Sequence, residues 1–119
     1  MTCSELQGIR YSYQEKGGEP VYLIEIKIHQ DQVPKNQTTQ LLAQHRQWFS
    51  KQATFGHFLL VGPYEDREMA GLVIAQVADK QELLKIIQQD AYYPDLATYE
   101  IQEFQANIIA ENFADYQGK

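Results

Sequence analysis

The stretch Val21–Ile28 limits the fold more than any other part of the sequence. It reads VYLIEIKI and is rich in β-branched residues, which favour an extended strand. Because successive side chains of a strand point to opposite faces, its even-numbered residues form a wholly apolar face, whereas Glu25 and Lys27 interrupt the other face. A strand of this kind predicts a sheet that amphipathic helices cover on the apolar side.

The stretch Thr38–Gln52 predicts the first covering helix. Intervals of three and four place His45 and Gln52 on one face, whose apolar members are Leu41, Trp48 and Phe49. A histidine on an apolar helix face needs partners for its ring nitrogens. His45 is therefore the first candidate functional residue, and the search for a function becomes a search for its partner.

The remaining pattern alternates strands with a second helix. The predicted elements are the strands His57–Val61 and Gly71–Val77, a helix Lys80–Gln89 with apolar residues Leu83, Leu84, Ile86 and Ile87, and a strand Thr98–Ile109 with a bulge or a bend near Glu103. The expected caps are Thr38 or Thr39 and Gly56 for the first helix, and Asp79 for the second. This order indicates an α+β fold with ferredoxin-like βαββαβ topology and an antiparallel sheet.

The chain length of 119 residues fits one domain with one core. We assign residues 21–113 to that domain, residues 1–20 to an N-terminal extension and residues 114–119 to a C-terminal tail. The end of the extension is marked by the turn-forming residues Gly17, Gly18 and Pro20. Tyr11 and Tyr13 alternate with polar residues, which is compatible with a short edge strand, but we favour a loosely held tail.

The central strands carry apolar residues on both faces, and two helices cover one face of a four-stranded sheet. Leaving the second face in water is unfavourable by roughly 25 cal/mol per Å² of apolar surface. We therefore predict a symmetric homodimer in which the two sheets meet face to face. The alternative is a monomer whose N-terminal segment covers that face.

Composition argues against several classes of partner. Ten basic and sixteen acidic side chains give a net charge of −6, which disfavours nucleic acid and anionic membranes as ligands. No apolar run approaches the roughly 20 residues that span a bilayer, and the first residues lack the pattern of a secretory signal. Cys3 is the one cysteine, which excludes an internal disulfide and fits a cytoplasmic location. The three histidines show no metal-ligand spacing, so we predict no metal site.

Several short motifs, taken in order, resemble the YCII-related (YciI) family of small dimeric α/β-barrel proteins. They are His45 in the first helix, LLVGPYED at Leu59–Asp66, Gly71, DAYY at Asp90–Tyr93 and YEIQEF at Tyr99–Phe104. The resemblance covers about Val21 to Phe113. Two departures stand out: Ala91 replaces the family's usual proline, and Pro94 and Asp95 stand where a small Ala-Gly element normally follows.

The resemblance implies a dimeric α/β barrel with a pocket beside the dimer cleft and a His–Asp pair in it. Carried over to this sequence, the pair is His45 with Asp90, and both are candidate catalytic residues. The candidate binding residues are Trp48, Gly62, Pro63 and Tyr92, with turn chemistry as the plain alternative for Gly62–Pro63 and core packing for Tyr92. No cofactor is implied: some relatives of this architecture bind haem, but no motif here carries that over.

Two functions remain open at this point. The first is an enzyme that moves protons on a small organic molecule by isomerase or lyase chemistry, with His45 as general acid and base and Asp90 orienting its ring. The second is a non-catalytic homodimeric module that binds a small ligand or serves as an accessory protein, in which the same pair only fixes packing.

Overall fold

The computed structural model describes residues 11–13 and 20–119. The strands are β1 (Tyr11–Tyr13), β2 (Val21–Ile28), β3 (Phe58–Pro63), β4 (Ala70–Gln76), β5 (Ala97–Phe104) and β6 (Ile108–Ala110), and the helices are α1 (Thr38–Thr54) and α2 (Lys80–Ile87). The unit Glu19–Phe104 contains both helices and a four-stranded antiparallel sheet with the strand order β3-β4-β2-β5. This is the predicted α+β, ferredoxin-like topology.

The covered face of the sheet is the one that the alternation in β2 predicts. Its four even-numbered residues are at most 8% exposed, and they are Tyr22, Ile24, Ile26 and Ile28. Trp48 from α1 and Leu83, Ile86 and Ile87 from α2 join the same apolar core. Leu84, which the sequence places in the α2 stripe, is 40% exposed and lies at the margin of that face.

The second face of the sheet carries apolar side chains that remain partly exposed. The register places Leu23 opposite Ile74, Leu60 opposite Ile74, and Val21 opposite Phe104, so that these residues point to the same side. Leu23, Leu60, Leu72 and Ile74 are all partly exposed, and Phe104 is 47% exposed. Glu25 lies within this face and accepts a hydrogen bond from Arg67. We call these residues the open face.

Two of the three expected helix caps are present. The Asp79 side chain accepts from the Glu82 amide at 2.9 Å, and Gly56 follows α1 with a φ of +82°. The expected N-cap of α1 is wrong: Gln37 occupies that position and Thr38 is already helical. A short 3₁₀ turn, Lys35–Gln37, leads directly into the helix, and the Thr38 hydroxyl donates to the Pro34 carbonyl instead of capping.

The predicted strand Thr98–Ile109 is in fact two strands, β5 and β6. Pairing with β2 stays regular to its last residue, where Phe104 lies opposite Val21. Of the bulge or bend expected near Glu103, the bulge is absent, and the strand instead ends one residue later, at Phe104. β5 ends there because β2 offers no further partner. The irregularity in the sheet lies instead in β3, between Phe58 and Leu60. α2 also ends two residues earlier than predicted, at Ile87.

The described terminal residues form a separate unit from the Glu19–Phe104 unit. β1 pairs antiparallel with β6, with Tyr11 opposite Ala110 and Tyr13 opposite Ile108. The loosely held tail that we favoured is therefore wrong for residues 11–13, whereas residues 1–10 and 14–19 lie outside the described part. Phe113–Tyr116 forms a 3₁₀ turn. Within the described residues, the helices are too short or too polar to cross a membrane.

Candidate functional site

The imidazole of His45 and the carboxylate of Asp90 form a buried pair between the two helices. Nδ1 of His45 lies 2.6 Å from Oδ1 of Asp90, and the two residues are 5% and 4% exposed. Since an ionised carboxylate can only accept, Nδ1 carries the proton and donates it to this bond. The contact thus fixes the tautomer of the ring and leaves Nε2 as its second functional nitrogen.

Tyr99 is the third member of this network. Its hydroxyl donates to Oδ2 of Asp90 at 2.5 Å, so that the carboxylate accepts one hydrogen bond on each oxygen. Burial raises the pKa of the Tyr99 phenol far above its usual range, and the hydrogen bond to Asp90 and its charge add to that rise. Burial therefore favours the protonated form of Tyr99, which is the form that donates to Asp90.

Local structure places each member of the network. His45 lies on α1 one turn before Trp48, whose indole donates to the Ile86 carbonyl at 2.9 Å and so ties α1 to α2. Asp90 follows the end of α2, where its amide donates to the Ile87 carbonyl at 3.0 Å. Tyr99 lies on β5 opposite Ile26, on the covered face of the sheet.

Three aromatic rings surround the imidazole of His45. Ring centroids lie 4.3 Å away for Phe49, 5.0 Å for Tyr92 and 5.8 Å for Trp48. Trp48 and Tyr92, two of the candidate binding residues, thus pack against the catalytic candidate. Such contacts restrict the plane of the ring and, together with Asp90, leave it little freedom to rotate.

A cavity of about 340 Å³ lies against α1 and the β3–β4 hairpin, and His45 is part of its wall. Its other lining residues are mostly apolar: Ile26, Ile28, Leu42, Phe49, Val61, Met69, Ala70 and Leu72, with Arg46, Gly62, Pro63, Tyr64 and Gly71. Two further candidate binding residues, Gly62 and Pro63, are therefore in this wall. Asp90 and Tyr99 are not, so the carboxylate is separated from the cavity by the imidazole.

The Nε2 atom of His45 retains access to solvent. Within the described part of the chain, every buried side-chain nitrogen or oxygen has a hydrogen-bond partner, and the partner of His45 is engaged at Nδ1. An Nε2 atom without a partner is therefore not fully buried. Because Asp90 engages the Nδ1 proton, Nε2 is the ring nitrogen that remains for a further partner.

Close approach of β3 and β4 shapes one wall of the cavity. A Cβ atom on Gly71 would lie 2.7 Å from the Gly62 carbonyl oxygen and 3.2 Å from Cα of Pro63. Gly71 therefore allows β3 and β4 to approach each other closely at this point. A side chain would not fit there, which explains the glycine at the second position of β4.

The other two histidines lie elsewhere. His57 Nδ1 contacts the buried side chain of Gln52 at 2.7 Å, and Gln52 in turn donates to Gln89 at 3.3 Å. This chain of contacts borders a larger, more open cavity of about 640 Å³ that contains neither His45 nor Asp90. His29 contacts the Thr98 hydroxyl at 2.7 Å. Among residues 20–119, no cluster of His, Cys, Asp and Glu side chains has the arrangement of a metal site.

The sequence alone did not assign Tyr99 to the site. Its one signal was its phase: Tyr99 shares the covered face of β5 with Ile101, and a phenol hydroxyl on such a face requires a partner for the same reason as an imidazole does.

Comparison with protein family models identifies the family of this chain. The family model of the YCII-related domain matches residues 21–105, which is most of the chain and nearly all of the Glu19–Phe104 unit. The chain therefore belongs to the YCII-related family. No curated protein matches it.

Proposed function

We propose that this protein is an enzyme that transfers protons on a small organic molecule, with His45 as the general acid and base. The observation that carries the proposal is the asymmetry of the imidazole: Nδ1 is bound to a buried carboxylate, Nε2 has no hydrogen-bond partner among the described residues, and His45 is part of the wall of an apolar cavity. A ring held in this way presents one basic nitrogen in a fixed direction.

The proposed chemistry needs three steps. Nε2 takes a proton from a carbon of the bound substrate and the ring becomes an imidazolium, whose charge the Asp90 carboxylate stabilises. The electron pair of the broken bond then shifts within the substrate. The same proton returns to a second atom in an isomerisation, or to a leaving group in a lyase reaction, which regenerates the neutral ring. Tyr99 holds the second oxygen of Asp90 and so positions the carboxylate rather than touching the substrate.

The four candidate binding residues have two roles in this proposal. Gly62 and Pro63 would contact the substrate from the β3 wall of the cavity, whereas Trp48 and Tyr92 would act through the imidazole against which they pack.

An NMR titration of the His45 ring in the intact protein and in Asp90→Asn tests the proposal. We expect His45 to titrate, its Nε2 to exchange with solvent, and the midpoint to shift when the carboxylate is neutralised. His57, which contacts Gln52 rather than a carboxylate, is an internal control whose midpoint should stay unchanged. A His45 ring that does not titrate, or that ignores Asp90→Asn in a folded variant, would contradict the proposal.

The alternative is a non-catalytic module that binds a small ligand. This alternative is favoured by the hydrogen bonding of Asp90. Both oxygens of its fully buried side chain accept a hydrogen bond, as in a network that serves packing alone. On that interpretation, His45→Gln lowers the free energy of unfolding without affecting any turnover. A substrate screen distinguishes the enzyme from the binding module. A His45→Gln variant that folds normally but loses activity supports the enzyme.

We also propose a homodimer in which the open faces of two sheets meet, as the resemblance implies for a dimeric barrel. The partly exposed apolar residues of the open face support it. Light scattering on the purified protein should give twice the chain mass of 13.8 kDa. A cytoplasmic location, expected from the single cysteine, stays a prediction.

A further inference from the structure

Arg46 is the charged residue in the wall of the cavity that His45 also lines. The two residues are neighbours on α1, so their Cα atoms are about 3.8 Å apart. The remaining wall has no Asp, Glu or Lys, and its titratable groups besides Arg46 are His45 and Tyr64. Arg46 and His45 thus both contribute to the wall of one largely apolar cavity.

Within the described residues, no carboxylate pairs with Arg46. The ion pairs of that part of the chain are His45–Asp90, Arg67–Glu25 and Lys85–Glu82, and no hydrogen bond involves the Arg46 side chain. Arg67 provides the contrast, since it is bonded to Glu25 and lies 4.4 Å from the centre of the Tyr64 ring. In a chain with six more acidic than basic side chains, an arginine without an acidic partner beside a cavity is available to an anion.

The positive charge of Arg46 acts on the Tyr92 phenol, which packs against His45. Burial raises the pKa of the Tyr92 phenol, the Asp90 charge adds to the rise, and the Arg46 charge opposes it. Tyr92 packs against the imidazole of His45 at a ring distance of 5.0 Å. The Arg46 charge is therefore within electrostatic range of the ring that is proposed to carry the proton.

We propose that Arg46 binds a carboxylate of the substrate, and that the substrate is a small, largely apolar monocarboxylic acid. The part of this inference that concerns the reaction rests on the proposed function. The part that concerns binding of the carboxylate by Arg46 does not. A guanidinium matches a carboxylate through two parallel hydrogen bonds. One cation balances one carboxylate, and the apolar side chains of Ile28, Phe49 and Val61 favour a hydrocarbon body over a phosphate or sugar.

The size of the cavity agrees with this class. A volume of about 340 Å³ lies at the lower end of the range of small-molecule pockets, which favours small ligands over dinucleotides. Because Arg46 and His45 line the same cavity, a substrate whose carboxylate is held at Arg46 occupies the space that His45 also borders. The proposal therefore places the carbon that exchanges a proton near the carboxylate, where a carbonyl or double bond makes its hydrogen acidic.

The test compares two probes of equal shape, 3-phenylpropionate and its neutral amide, 3-phenylpropanamide. Binding is followed in the full chain by isothermal titration calorimetry and through the NMR signals of the Val61 and Leu72 methyl groups, which line the cavity. We expect the carboxylate to bind about tenfold more tightly than the amide, as one charge-assisted contact predicts. Arg46→Gln should remove this preference, and Arg46→Lys should restore part of it. Arg46 is exposed on α1 and glutamine is a good helix former, so the variant should fold.

Arg67→Gln is the matched control, because it removes the same charge from an arginine that is paired with Glu25. It should leave the preference unchanged. Equal binding of the two probes, absence of carboxylate binding, or a preference that survives Arg46→Gln would each overturn the proposal. His45→Gln separates this result from the proposed reaction, since the preference for the carboxylate should persist in that variant even though proton transfer is lost.

Discussion

A carboxylate with a different donor on each oxygen joins three parts of the fold. Asp90 lies in the turn after α2, and it binds His45 on α1 and Tyr99 on β5. The need of His45 for a partner followed from its position on an apolar helix face, but the identity of that partner came from the family resemblance. Tyr99 was not assigned, because neither helical nor strand spacing relates it to a residue in the preceding loop.

Tyr99 should make the folded protein sensitive to alkaline pH. Its pKa in the folded chain lies above the ordinary value of about 10, so above that pH the unfolded chain releases a proton that the folded chain keeps. The stabilisation is therefore complete below pH ~10 and is lost as pH rises further. The loss approaches at most about 1.4 kcal/mol per pH unit, and is smaller because the ring is partly exposed to solvent.

Urea unfolding at several pH values above about 9 measures this loss. Tyr99→Phe should show a shallower alkaline decline than the unmodified chain, whereas Tyr116→Phe, which removes a tyrosine that is 62% exposed, should keep the original slope. An unchanged slope in Tyr99→Phe would refute the assignment of Tyr99 as a buried donor.

At the scale of elements, periodicity identified each helix and each strand of the main sheet, but not their ends. β2 was predicted to the residue because both its faces have clear patterns. The ends of β5 and α2 depend on where neighbouring strands and turns stop, which local pattern does not encode. The irregularity in β3 was missed for a similar reason, since HFLLV is apolar on both faces and hides a change of phase.

Gly71→Ala should destabilise the β3–β4 hairpin. The new methyl group would approach the Gly62 carbonyl to 2.7 Å, and backbone atoms cannot yield without moving a strand. Overpacking of this kind costs about 1–3 kcal/mol, measured by chemical unfolding. Gly62→Ala is the matched control on the facing strand, because its Cβ atom would meet no atom within 4 Å, and we expect a change below about 0.5 kcal/mol. Equal losses in both variants would be inconsistent with the close approach.

For the whole molecule, the order of elements was enough to predict the topology of the Glu19–Phe104 unit. Each strand and helix has its own hydrophobic period, and few arrangements of six such elements bury both helices on one face. The pairing of β1 with β6 could not be predicted in this way. Those strands have three residues each, too few for a period to emerge, and nearly a hundred residues separate them in sequence.

If the open faces form a dimer, stability should depend on protein concentration. The unfolding temperature then rises with concentration, because dissociation accompanies unfolding. Ile74→Lys places a charge at the centre of the open face, opposite Leu23, and should abolish that dependence and halve the mass measured by light scattering. Gln47→Lys, on an exposed position of α1, is the control and should retain both. A concentration-independent midpoint in the unmodified chain would argue for a monomer.

The residues around the His45 imidazole belong either to the buried network or to the cavity wall, and this separation affects how the protein can change in evolution. Asp90 and Tyr99 are set within the packed interior, whereas the cavity wall is built partly from Val61 and Pro63 on β3, an edge strand. Substitutions at this edge alter the shape offered to a ligand without disturbing the buried network. On the proposed function, selectivity for the substrate can therefore change while the network of His45, Asp90 and Tyr99 is retained, so that one fold accommodates successive new compounds.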